Sequence, residues 1–479
     1  MKFPDRIPTE LIQLFTSSQA WEYRLVPYGR DAGTVLCAGD RSREYGDVSL
    51  EIEVLSGFPV RVEPVDGDEL SQWLNRYYRH EDRPDGGAPE TAADLTRIGG
   101  GRTFLTGLIG EAYEVYASDI HFEPYEEKCR IRFRIDGRLV ERYVLDKANY
   151  ASLVNQIKIM AGLDISEKRL PQDGRILYRR DERKFDVRVS SLPTIYGEKI
   201  VLRLLTRHAE LLDLANLGFS ARQIDDYTKA VSRPHGLVLI CGPTGSGKST
   251  TLYATLRRLN RETDNILTIE DPVEYTLDGV NQVQLKEEIG LTFGSALRTF
   301  LRQDPDIIML GEIRDGDTAQ MAIRSSLTGH LILSTIHTNS AWGSVARLSD
   351  MGVHPYLISN TLILCVAQRL VRMLCPHCKK EVPIDEALRD ELGFGPRIRS
   401  GFAAVGCGDC YYTGYKGRRA IYEVIPLDDG LSQAVRESRA DVAADLEKRG
   451  IVSLKASALQ LFRNGETSLD ELLPVLRSQ

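Results

Sequence analysis

Gly242-Pro243-Thr244-Gly245-Ser246-Gly247-Lys248-Ser249 is the stretch that decides the fold of this chain. It fits Gly-x-x-x-x-Gly-Lys-Ser, a phosphate-binding loop whose chemistry comes largely from its backbone. The glycines permit a tight path in which consecutive N–H groups point inward, and a helix starting there turns its positive dipole end to an anion. Lys248 is placed to reach the β- and γ-phosphates and Ser249 to ligate Mg²⁺, so the nucleotide-binding set runs from Gly242 to Thr250. The flanks agree with this reading. Apolar Leu237-Val238-Leu239-Ile240 precedes the loop and a helix-forming stretch, Thr250 to Leu259, follows it. A chance glycine-rich turn, the competing reading, explains neither flank. No Asn-Lys-x-Asp base-reading run occurs, which favours ATP over GTP.

Working outward, further apolar runs alternate with helical stretches: Ile266-Leu267-Thr268-Ile269, Ile307-Ile308-Met309-Leu310 and Leu331-Ile332-Leu333-Ser334. That alternation predicts a parallel, doubly wound α/β sheet, in which ligands bind at the carboxyl ends of strands. Two of these runs end in acids. Glu270-Asp271-Pro272, with Glu274 after it, closes the first, and Gly311-Glu312 closes the second. A carboxylate there orients or deprotonates the attacking water, or holds the water shell of Mg²⁺. Most P-loop enzymes end the metal-side strand with Asp. Gly311 stands at that point here, which leaves Glu312 to hold Mg²⁺ through water or to act as the base. His330 and His337 bracket the run at 331–334, and γ-phosphate sensing or subunit signalling competes with a structural hydrogen-bonding role for both.

The rest of the chain sets the frame. At 479 residues it exceeds one core, and its 42% hydrophobic and 27% charged residues are ordinary for a globular protein. A net charge of −7 and a pI near 5.8 give no global reason to bind nucleic acid or an anionic membrane. No run reaches the 18 or so apolar residues of a spanning helix, and prolines and charges stand where a signal peptide has its apolar segment. The expectation is a cytoplasmic protein. Residues 1–80 read as a small mixed domain, with alternation at 48–54 and a closing helix that carries Trp73, Leu74, Tyr77 and Tyr78. Residues 81–97 read as a flexible linker. From 98 to 209 the pattern is α+β: helices near 104–117 and 150–161, strands at 130–135, 184–189 and 199–204, and the hairpin signal Asp136-Gly137. The ATPase core is expected at 210–374 and a helical subdomain at 413–479.

Between the last two lie Cys375-Pro376-His377-Cys378 and Cys407-Gly408-Asp409-Cys410, two Cys-x-x-Cys knuckles separated by 28 residues. Four thiolates satisfy tetrahedral Zn²⁺ and leave no position for water, so the reading for 375–412 is a structural zinc element, with a redox pair as its competitor. The other four of the eight cysteines, Cys37, Cys129, Cys241 and Cys365, are apolar-flanked and expected as buried thiols.

At this point the residues resemble a known family, the secretion ATPases of bacterial type II secretion and type IV pilus assembly. The resemblance covers roughly 98–479 and rests on ordered boxes. These are Ala117-Ser118-Asp119-Ile120-His121-Phe122-Glu123-Pro124, Arg169-Leu170-Pro171-Gln172-Asp173-Gly174-Arg175, the loop itself, Glu270-Asp271-Pro272-Val273-Glu274-Tyr275, Gly311-Glu312-Ile313-Arg314-Asp315, and Gly329-His330 to His337-Thr338-Asn339. It implies a RecA-like P-loop ATPase domain of the α/β class with a preceding α+β (PAS-like) domain, a small N-terminal domain and a zinc-binding insertion. It further implies a homo-hexamer, ATP held between domains, Glu270 as the water-activating acid and Glu312 as the metal-side glutamate. His337 belongs to its histidine box. Arg188 and Arg203 are implied to reach the phosphates from the preceding domain; without the resemblance both read as solvated strand positions. Assembly members of the family carry the four cysteines, whereas retraction members usually lack them. The implied partners are inner-membrane secretion or pilus-assembly proteins, met through residues 1–80, where Phe58-Pro59-Val60-Arg61-Val62-Glu63-Pro64-Val65-Asp66 is similar to the family's docking domains. Membrane association is thus indirect, and type II secretion leads pilus extension and a nucleic-acid translocase.

Overall fold

The structure, a computed structural model, describes residues 100–180, 183–205, 213–392, 394 and 398–477, and a discontinuous set between 7 and 78. The strand expected at 48–54, the linker at 81–97 and the boundaries at 98 and 209–210 lie outside the described residues. No helix among the described residues is long and apolar enough to cross a membrane.

Strands β1 (Leu25–Asp31), β2 (Thr34–Asp40) and β3 (Val60–Val65) form a small sheet, β1 and β2 antiparallel and β2 and β3 parallel. Leu25, Val26 and Cys37 on it bury against Leu70, Leu74 and Tyr78.

The next unit is a six-stranded antiparallel sheet. Its strands are β4 (Asp119–Pro124), β5 (Lys128–Ile135), β6 (Arg138–Asp146), β7 (Gln172–Arg180), β8 (Arg183–Thr194) and β9 (Gly197–Leu205), in the order β6-β5-β4-β9-β8-β7. The period of two is visible along β5. Cys129, Ile131 and Phe133 are buried against helices Gly100–Glu114 and Lys147–Ala161, while Arg130, Arg132 and Arg134 lie on the opposite face. Asp136 (φ 49°) and Gly137 (φ 82°) both take left-handed backbone between Ile135 and its partner Arg138, which makes a two-residue hairpin with the strand-matched twist.

The large sheet contains β10 (Gly236–Cys241), β11 (Ile266–Glu270), β12 (Asn281–Gln284), β13 (Ile307–Leu310), β14 (Leu331–Ile336) and β15 (Leu362–Leu374). A small pair follows, β16 (Lys380–Pro383) with β17 (Ser400–Ala403), and β18 (Tyr415–Pro426) returns to the large sheet. Its order is β12-β11-β13-β14-β10-β15-β18, parallel except for β18. Alternate residues of β10 enter different cores: Leu237, Leu239 and Cys241 on one side, Val238 and Ile240 on the other. Both faces are covered, which is why these strands read as unbroken apolar runs.

One expectation is corrected here. The helical subdomain expected from 413 does not begin there, because 415–426 pairs antiparallel with β15 as the edge strand of the ATPase sheet. The tetracysteine element is therefore an insertion between two paired strands. Helical structure resumes at Asp429–Arg436, and the last two helices, Leu454–Arg463 and Leu469–Arg477, pack on Val371, Leu392, Phe394 and Ile421.

Candidate nucleotide site and tetracysteine cluster

The loop leaves the carboxyl end of β10, with the ends of β14 and β13 on one side and β15 on the other. Its glycines are needed where they stand. Gly242, Gly245 and Gly247 have φ of 151°, 79° and 88°, and a Cβ on Gly242 would sit 2.5 Å from the Gln368 carbonyl oxygen. Gly247 caps the helix Lys248–Leu259, so the free N–H groups of its first turn face the loop's hollow. Pro243, Thr244 and Gly245 are exposed, Ser246 is buried with a hydroxyl that has no partner, Thr250 is half-buried and Ser249 is exposed at the helix start. The Lys248 ammonium donates to the carbonyls of Gly242 (2.8 Å) and Pro243 (3.2 Å). Burial lowers its pKa, against the charge of nearby Glu312.

Glu312 is the carboxylate the fold brings to Lys248. It accepts from Arg314 Nη2 at 2.5 Å and lies 3.1 Å from His337 Nε2. Burial alone would raise its pKa, but Arg314 and His337 outweigh burial, and the carboxyl sits below its ordinary value. A depressed pKa keeps the ionised form through the ordinary carboxylate range and loses it only at lower pH. Arg314→Ala is therefore expected to move the acid limb of the kcat/KM profile for ATP to higher pH, measured as phosphate release across pH; an unmoved limb would assign that limb to another group.

Glu270 lies elsewhere. At the end of β11 its side chain shares the side of Thr268 and is 4% exposed. It accepts from Thr268 Oγ1 (2.6 Å), Gln282 Nε2 (3.0 Å) and the Tyr253 hydroxyl. The acid expected to face the nucleotide is thus closed in a cage of donors from β11, β12 and the loop's helix. Asp271, next to it, also approaches Arg314, at 3.5 Å.

The two histidines separate. His337 follows β14 at its carboxyl end and joins Glu312, whereas His330 precedes the same strand and bonds the Ser325 carbonyl at 2.9 Å. A strand that begins after one and ends before the other puts them at opposite edges of the sheet, about 20 Å apart at the usual strand rise. The arginines separate as well. Arg188 Nη2 donates to the Val273 carbonyl at 2.7 Å, a bond from the α+β domain into the acidic box. Arg203, its direct cross-strand partner, is held at 3.0 Å by the buried Asp119 carboxylate within its own domain.

Reading the sequence missed Arg314, Gln282 and Tyr253 as site residues. Arg314 stood inside a quoted box and its charge two residues from Glu312 was a usable signal. Gln282 and Tyr253 come from distant elements and gave none.

The four knuckle cysteines converge, with all Sγ atoms within 4.8 Å of one another. Cys375–Cys407, Cys378–Cys410 and Cys407–Cys410 are each 3.8 Å apart. A tetrahedron with Zn–S bonds of about 2.3 Å has edges near 3.8 Å, so the donor set fits zinc without rearrangement. Backbone N–H groups of Gly406 and Gly414 point at Cys378 and Cys410 sulfurs, each at 3.3 Å, as thiolate ligands require. Cys37, Cys129, Cys241 and Cys365 are buried thiols, as expected.

Comparison with known proteins agrees with this geometry. Residues 101–474 match the family described as Type II/IV secretion system protein. The chain is 46% identical over 377 residues to the type II secretion system ATPase E of Vibrio cholerae, covering 78% of this chain and 75% of that one. It is 48% identical over 373 residues to the type IV pilus assembly ATPase PilB of Myxococcus xanthus, covering 76% and 66%. Among solved structures, the ATPase DotB of Legionella pneumophila shares the fold with a TM-score of 0.58 at 21% identity, over 82% of this chain and 98% of that one. The chain belongs to the type II/IV secretion system protein family, as one of its ATPases.

Proposed function

We propose that this chain is the cytoplasmic motor that hydrolyses ATP to drive pseudopilus assembly and protein export in type II secretion. The observation that carries the reading is the convergence of Lys248, Glu312, Arg314 and His337 at the mouth of the loop, with Arg188 of the preceding domain bonded to the acidic box beside it. A site assembled from two domains can hydrolyse only when they close on each other, which is how turnover becomes movement. The match to the type II relative spans more of both chains than the match to the pilus relative, which favours secretion; pilus extension is the alternative reading. A nucleic-acid translocase is disfavoured by the net charge of −7.

In the mechanism proposed, the loop N–H groups and Lys248 hold the β- and γ-phosphates, and Glu312 orients the attacking water with His337 fixing the carboxylate. Ser249, and Glu312 through water, would hold Mg²⁺, which would supply positive charge to the phosphates. Arg188 and Arg203 belong to the closed state, and Arg203 must leave Asp119 to take part. Glu270 acts at the phosphate only if its cage opens; otherwise it holds the acidic box in place. Cys375, Cys378, Cys407 and Cys410 hold a structural zinc ion. The division proposed is a docking domain (1–80), a linker, the α+β domain, an ATPase core that includes 415–426, the tetracysteine insertion, and C-terminal helices from Asp429. Six copies form the ring, and residues 1–80 bind an inner-membrane protein, so membrane association is indirect. Complementation tests the reading. A strain lacking the chain should regain export with the wild-type gene and fail to regain it with Lys248→Ala at equal protein level; normal export by that variant would refute the motor.

A further inference from the structure

The hairpin β5–β6 is distant in sequence from the tetracysteine insertion and from β18, the strand that leaves it, yet it touches both. At the hairpin tip, Asp136 Oδ2 accepts the Gly417 N–H at 2.7 Å, and Oδ1 lies 3.4 Å from Arg418 Nε. Farther along β6, the Arg142 guanidinium lies 4.9 Å from the centroid of the Tyr411 ring. Arg142 is itself fixed, since its Nε donates to Glu111 at 3.0 Å, and Glu111 also accepts the Tyr143 hydroxyl at 2.6 Å. The cation is thus pre-aimed at the ring.

Tyr411 directly follows the ligand residue Cys410 and takes a left-handed backbone at φ 50°. Its neighbour Tyr412 bonds the Cys407 carbonyl at 2.9 Å, so the second knuckle sets where the ring points. Gly417 and Arg418 open β18, and β18 leads to the site. Its Glu423, 9% exposed, accepts the Ala341 N–H at 3.1 Å just beyond the His337–Asn339 loop, and Arg369 of the paired strand β15 donates to the Asn339 carbonyl at 2.9 Å.

We propose that the tetracysteine element is a latch that holds the α+β domain against the ATPase sheet, so that metal occupancy governs inter-domain geometry as well as local stability. The metal fixes Tyr411, Tyr411 and Gly417 hold the hairpin, and β18 joins that contact to the loop carrying His337. The proposal rests on the zinc reading above, and its test separates the two.

The experiment uses the full chain with a donor–acceptor dye pair placed through non-natural residues at the exposed positions Lys184 and Lys229, one in each domain. Single-molecule energy transfer reports the inter-domain distance, and elemental analysis reports metal per chain. The expected results are one narrow distance distribution with metal, and a shifted, broadened one after chelation. Tyr411→Ala and Asp136→Ala, each with its metal content retained, are expected to give the same shift, and chelation then adds nothing. Removing a charged hydrogen bond or a cation–π contact of this kind is expected to raise the undocked fraction about tenfold. An unchanged distribution on chelation, or in both variants with metal retained, overturns the latch. Absence of metal from the wild type overturns the zinc reading instead, and the two variants then still read the contact itself.

Discussion

Replacing Lys248 with alanine is expected to lower ATP turnover by roughly 10³-fold, with the fold intact. The magnitude follows from what the ammonium does in a phosphoryl transfer: it is a fixed charge at the transferring group, and losing one such preorganised donor costs about 10²- to 10³-fold, more when it also binds the ground state. Fold retention follows from its surroundings. Its two hydrogen bonds go to loop carbonyls, while the loop's shape is set by the left-handed backbone of Gly242, Gly245 and Gly247. Phosphate release and thermal melting on the same preparation check both halves. A variant that melts with the wild type and retains turnover would remove Lys248 from the chemistry.

Glu312→Gln is expected to lower kcat by about 10²- to 10³-fold while nucleotide affinity changes only a few-fold. The amide keeps the shape and an acceptor for Arg314 but loses the charge that orients or deprotonates water. Glu270→Ala is the contrasting case. Removing that carboxylate leaves the donors of Tyr253, Thr268 and Gln282 without their acceptor inside the protein, at about 1–3 kcal/mol for a buried unsatisfied group. Its loss of activity should therefore come with a lower melting temperature, whereas Glu312→Gln should melt close to wild type. Equal melting for both, with Glu270→Ala the slower enzyme, would reverse the roles assigned to the two acids.

The core of the fold was legible because it is written in local pattern. A parallel sheet covered on both faces must be apolar throughout, and the runs at 237–240, 266–269, 307–310 and 331–334 were read as strands for that reason. The loop was legible because phosphate binding needs glycines at fixed offsets. What escaped depends on residues brought together from afar. Glu270 ends a core strand and is expected to face the nucleotide, but its surroundings are set by Gln282 on the neighbouring strand and Tyr253 on the loop's helix. The two histidines looked alike because their spacing across the strand carries no information about which edge of the sheet faces the loop. β18 was read into the helical tail because its pairing partner, β15, lies on the far side of a 40-residue insertion (375–414). The arginine row of the α+β sheet is the intermediate case. Alternation placed Arg188 and Arg203 on an outer face, but only the structure gives Arg188 the Val273 carbonyl and Arg203 the Asp119 carboxylate.

In the motor proposed, one loop, completed by a second domain and by neighbouring copies, hydrolyses ATP. Phosphate release from Mg-ATP by the purified full chain, measured over a wide range of protein concentration beside Lys248→Ala, tests it most directly. Specific activity is expected to rise with concentration as rings form, with background activity from Lys248→Ala throughout. Specific activity that is full at the lowest concentration and flat thereafter, or equal release by Lys248→Ala, would contradict it.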